Sequence, residues 1–170
     1  MQEHIYLPKK NRIISQSFFI WLFVATQIVL NLFWISSGKS KWDQILVLIF
    51  FNGIFCCLTI PAIFLFLKYY KYSKGKKFIV TYKTLRLIDE KNRNVIEMIN
   101  SDVQKVYLVA NNRTSILPWS SHEYYVFVDS KQNKIVVTSY FMDISELWMD
   151  TLTGRLGGEI VREEKLYPII

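Results

Sequence analysis

The residues with the widest chemical repertoire sit together at Ser120-Ser121-His122-Glu123, where nucleophile, base and acid types follow one another. A catalytic triad is defined by geometry and roles, which neighbours in sequence do not supply, so this stretch reads as a polar loop. The only other histidine, His4, lies more than a hundred residues away. Asp143 and Glu146 form a close carboxylate pair, but a helix N-terminus of the capping-box kind uses both. Cys56 and Cys57 are adjacent in an apolar run, with no CxxC spacing and no other thiol to join. No His/Cys/carboxylate cluster has metal-ligand spacing, and the six glycines build no phosphate-cradling loop. The expectation is a non-enzymatic chain with no metal and no cofactor. A membrane hydrolase is the competing class, and Ser121 and His122 are the residues whose substitution would abolish its activity.

Two long apolar runs must position everything else. No charged residue occurs between Arg12 and Lys39, nor between Asp43 and Lys68. Each gap exceeds the roughly 20 residues needed to cross a hydrocarbon core, and a helix is the open structure that satisfies its own backbone in lipid. Residues 13–68 are therefore expected to form a transmembrane helical hairpin. It is preceded by a basic leader (1–12) and followed by a basic juxtamembrane linker (69–77) and a β domain (78–170). Trp34, Trp42, Tyr69, Tyr70 and Tyr72 fall where amphipathic rings settle at a membrane interface. A signal peptide would need a shorter apolar stretch and no second span.

Charge sets the orientation. Residues 1–77 hold ten Lys/Arg against two acids, whereas residues 78–170 hold eleven against twelve. The basic excess belongs to the hairpin's flanks, so the domain lacks the basic patch that nucleic-acid binding requires. Lysine and arginine before the first run and after the second place both termini in the cytoplasm of a bacterial cell (inner) membrane. Lys68, Lys71, Lys74, Lys76 and Lys77 are candidate contacts for anionic lipid. Within the runs, Gln27 and Asn31 share a helix face, and Gln27 matches Asn52 in depth. Gly53 is expected to let the two backbones approach. Asn31 lacks an obvious mate at its own depth, which points to self-association or a membrane partner through the helices.

After Lys77 the period changes to alternation, with strands expected over Phe78–Lys83, Thr84–Leu87, Val95–Ile99, Val103–Ala110, Tyr124–Val128 and Ile135–Phe141. Asp143 then opens an amphipathic helix over 143–156, with Ile144, Leu147, Trp148, Leu152 and Leu156 on one face. Gly157-Gly158 ends it. The tail EIVREEKLYPII adds a strand or trails. The loop Asn111 to Trp119 exposes Arg113, Ile116, Leu117 and Trp119, which either cover a core edge or meet a partner.

A meander of short antiparallel strands closed by one amphipathic helix resembles the bacterial pleckstrin-homology-like domains that follow transmembrane hairpins in small two-span membrane proteins. The segments that carry the likeness are Val95 to Ile99 with Val103 and Val106, then YYVFVDSKQNKIVVTSYF, then DISELWMDTLTGRL. The resemblance implies a PH-like α+β domain, an antiparallel bent sheet closed by the C-terminal helix and used for interaction. Phosphoinositide binders of the wider family place basic residues around a long first hairpin loop. Lys83 and Arg86 have no such loop between them, so inositide binding is not carried over. The expected function is a membrane-anchored adaptor whose domain binds a membrane or cytoplasmic protein, or the membrane surface itself. The alternative is an immunity-type protein that neutralises a membrane-acting toxin.

Overall fold

The computed structural model describes residues 3–36, 42–111, 119–142, 159–166 and 168–170. The chain opens on a short strand, β1 (His4–Tyr6), and then forms α1 (Lys10–Ser36) and α2 (Trp42–Ser73). Strands β2 (Lys76–Val80), β3 (Thr84–Asp89), β4 (Asn94–Ile99), β5 (Val103–Ala110), β6 (Tyr124–Asp129) and β7 (Lys134–Thr138) follow, and β8 (Glu159–Glu164) comes last. Both helices are long and apolar enough to cross a membrane by length and composition. Helix α2 stops at Gly75, whose φ of 76° is the left-handed conformation open to glycine. The Lys74 N–H closes the last turn onto the Tyr70 carbonyl at 2.9 Å.

Two four-stranded sheets face each other. The first has the order β1-β2-β3-β4 and is antiparallel throughout. The second has the order β7-β6-β5-β8, with β8 running parallel to β5. Aspartates build the tight turns between neighbouring strands. Asp89 accepts the backbone N–H groups of Lys91 and Asn92, and Asp129 accepts those of Lys131 and Asn133 at 2.8 Å each. Hydrogen bonds from Asn133, led by its side-chain amide, hold the Asp129 carboxyl below the usual carboxylate range.

Alternation explains the core between the sheets. Phe78, Leu85, Leu87 and Met98 from one sheet meet Val106, Phe127, Ile135 and Val137 from the other, and the Phe78 and Phe127 rings stack at 5.9 Å. Strand β6 is apolar at every residue before Asp129 because both of its faces are covered. Tyr125 and Phe127 point into that core, while Tyr124 and Val126 join a second one. The second core lies on the outer face of the β5–β7 sheet and is roofed by the helices. It holds Ile20 of α1 and Ala62, Leu65 and Tyr69 of α2, against Val109, Trp119, Tyr124 and Tyr140.

Several expectations are corrected. The leader is part of the fold: His4, Ile5 and Tyr6 pair with Val80, Ile79 and Phe78. The linker 69–77 is not a linker, because α2 continues to Ser73 and β2 begins at Lys76. The sheet is not one closed antiparallel sheet but two open ones, since β8 returns in parallel beside β5. The expected closing helix over 143–156 lies outside the described residues. The tail does form a strand, and its last residues are tied down: Leu166 O accepts from Trp119 Nε1 and from Asn111 Nδ2 at 2.9 Å each.

Candidate interaction site: the hairpin and its docking on the sheet

The amides of the hairpin come together, and one residue serves as their hub. Asn52 Oδ1 accepts from Gln27 Nε2 and from Asn31 Nδ2, each at 2.9 Å. Asn52 Nδ2 donates back to Asn31 Oδ1 at 2.9 Å and to the Leu48 carbonyl of its own helix. Asn31 therefore has its mate inside the hairpin, and its side chain gives no reason to invoke a second copy. The sequence reading missed this because it matched Asn52 by depth to Gln27 alone; one turn of helix is short enough for the same amide to reach both. Gly53 does not bring the helices together. A Cβ at that position would meet nothing within 4 Å, so the residue faces outward. A cavity of 210 Å³ opens beside the amides, lined by Leu30, Trp34, Leu48, Phe51 and Phe55 as well. Cys56 and Cys57 are exposed on the helix surface.

Further along, the helices are hydrogen-bonded into the domain. Ser73 Oγ lies 2.7 Å from Thr138 Oγ1, and Tyr72 donates to the Val136 carbonyl at 3.1 Å. On α1, Gln16 Nε2 reaches the Ser121 carbonyl and Ser139 Oγ, and Arg12 Nη1 donates to the Ser139 carbonyl, all at 3.2 Å. Tyr69 is the pivot of this junction. It is fully buried, its hydroxyl donates to the Pro168 carbonyl at 2.8 Å, and its ring meets His122, Tyr124 and Tyr140 edge-on.

The Ser-Ser-His-Glu stretch belongs to the same junction. Its imidazole is buried against Tyr69 and Tyr140, and neither ring nitrogen has a hydrogen-bond partner. Burial pushes His122 down to about 4, so it is a neutral packing group at neutral pH. Ser121 is exposed, and no serine–histidine hydrogen bond forms between them. Trp119 takes the structural of its two readings: it is 2% exposed and caps the second core. Arg113, Ile116 and Leu117 lie outside the described residues.

The five lysines divide into two groups. Lys68, Lys71 and Lys74 are exposed and, three residues apart, share the side of α2 opposite the docked face. Lys68 and Lys74 sit over the Phe64 and Tyr70 rings at 5.4 and 5.8 Å. Lys76 and Lys77 are strand residues instead. Lys76 lies 3.4 Å over the Tyr72 ring, where burial lowers its pKa, and Lys77 pairs with Glu90. One further surface was not anticipated. Strand β4 is the outermost strand of its sheet among the described residues, and its Val95 and Ile99 are more than half exposed. The alternation of a one-sided strand is lost there, and only Met98 is buried.

No curated protein and no solved structure matches the chain. The profile of a family described as a PH domain matches residues 5–148, a stretch that begins within β1 and takes in both helices and β2 to β7. The chain belongs to that family.

Proposed function

We propose that this PH-domain chain is a membrane-anchored, non-enzymatic interaction module of a bacterial cell membrane. Both termini lie in the cytoplasm, and the β domain is offered to a protein partner. The observation that carries the reading is that two helices with long charge-free runs are built into the domain's second core rather than joined to it by a linker. A partner held by the domain is thereby held at the membrane. Pairing of β1 with β2 supports the topology, because it puts the N-terminus and the domain on the same side of any bilayer the hairpin crosses. The position of β4 supports the interaction. Among the described residues it is an edge strand with exposed Val95, Ile96 and Ile99, and such an edge is suited to pairing with an extended segment of another protein.

Two measurements test this. A cysteine placed at Ser37 should react with an impermeant reagent applied to intact cells, and one at Ser130 should react only after lysis. Labelling of Ser130 from outside would overturn the topology. A photocrosslinking residue at Ile96 should capture a discrete protein partner, and Val95→Lys with Ile99→Lys should abolish the capture. Equal capture by that variant would show that β4 is not the docking edge.

A further inference from the structure

The hairpin is too short to hold the domain clear of the bilayer. Counted from the connecting loop, α1 runs free of the domain from Ser36 to Trp21, and α2 from Trp42 to Cys57. The first residues packed into the second core are Ile20 and Leu58. Each free stretch is about 16 residues, or about 24 Å of helix, whereas the hydrocarbon core is about 30 Å thick. Both helices fall short by the same amount, and tilting them would only deepen the shortfall.

The surface beside the domain fits that arithmetic. Away from the sheet, the docked turns keep Ile14 and Phe18 on α1 and Ile60, Phe64 and Leu67 on α2 exposed at 49–64%. Charge appears on that outer side only beyond these residues, at Lys10 before Ile14 and at Lys68, Lys71 and Lys74 after Leu67. The apolar surface of the free hairpin thus continues without a break past the level at which the domain begins. The C-terminal tail lies further along α2, beside Tyr69 and next to the first outer charge at Lys68. It is bound through Tyr69 to Pro168 and through Tyr124 to Ile169, with the Leu166 and Ile169 side chains turned outward at 60% and 47% exposure.

We infer that the β domain is seated in the lipid interface of its leaflet, with the tail's Leu166 and Ile169 entering the headgroup and upper acyl layer beside the hairpin. The inference rests on the reading that the hairpin spans a membrane. Lys68, Lys71 and Lys74 then mark the phosphate level on the opposite side of α2. The β6–β7 turn points away from the bilayer, because Tyr72 and Ser73, at the far end of α2, already lie against β7.

The test uses the full chain with Cys56 and Cys57 replaced by serine, reconstituted in vesicles of phosphatidylethanolamine and phosphatidylglycerol. A nitroxide is placed singly at Phe50, Leu166, Ile169 or Lys131, all exposed positions. Collision with lipid-soluble oxygen is compared with collision with a water-soluble nickel chelate. Labels at 50, 166 and 169 should favour oxygen several-fold over the label at 131. A lipid-like signal at 50 with water-like signals at 166 and 169 would overturn the seating and leave the membrane anchor standing. A water-like signal at 50 would remove the anchor, and the seating with it.

Discussion

At the scale of single residues, His122 makes stability depend on pH. Its imidazole titrates near 4 in the fold and near 6.5 in an unfolded chain. Between those values the unfolded chain binds the extra proton, so the fold loses stability as pH falls below about 6.5 and the loss levels off near 4. The depression corresponds to about 3 kcal/mol in full. Urea unfolding of the detergent-solubilised protein at pH 7.5 and pH 4.5 should show most of that difference, and His122→Phe should remove it. Asn52 is the second residue with a definite prediction. Replacing it with leucine strips Gln27 and Asn31 of a shared acceptor, at a cost of about 1–2 kcal/mol in an apolar medium. A cysteine at Asn31 should give no intermolecular crosslink, since that side chain is satisfied within the hairpin; a strong dimer band would reopen the case for self-association.

At the scale of elements, the helix bases and the outer face of the second sheet stabilise each other. Tyr69→Ala removes a buried ring and a hydrogen bond at once, and truncations of buried aromatics cost about 3–5 kcal/mol. The melting temperature of the full chain should fall sharply, and an unchanged melt would show that the junction is peripheral. Residues 75–170 alone resemble a self-contained domain in sequence, yet they lack β1 and would expose Trp119, Tyr124 and Tyr140. That fragment should aggregate or require detergent, and a soluble, cooperative unfolding transition from it would contradict the second core. The physical reasons for what was and was not legible are visible in the same elements. Absence of charge over long runs marks α1 and α2, apolar alternation marks β3, and richness in aromatic and β-branched residues marks β6 and β7. Strand β1 is too short to display a period, and β8 is charged and finds its place only by a parallel return to β5. The docked stripe of Thr59, Ala62, Leu65 and Tyr69 disappears into a helix that is apolar on every side. Polar Gln16 and Ser73, inside or just beyond the apolar runs, are the traces of the docking that the sequence does carry.

At the scale of the whole molecule, the PH-family sheet and the hairpin are not successive modules, because the chain begins the first sheet, leaves it for two helices and then returns. His4 pairs with Val80 across the whole hairpin. Deleting residues 3–8 should therefore weaken the domain although no helix is touched. Limited proteolysis of native membranes should show faster cleavage within β2 and β3, and an unchanged pattern would mean that β1 contributes nothing.

That pairing also imposes an order in time. Synthesis proceeds at about 5–20 residues per second, so β1 leaves the ribosome several seconds before β2 exists to receive it. If the helices span a membrane as proposed, they must find their places in it during that interval while β1 waits on the side where it was made. A nascent chain that inserted only one helix would strand β1 across the bilayer from its partner, and the sheet would stay unfinished. On that reading, completion of the sheet requires that the helices go in as a pair, and a half-inserted chain is left with β2 lacking its β1 neighbour.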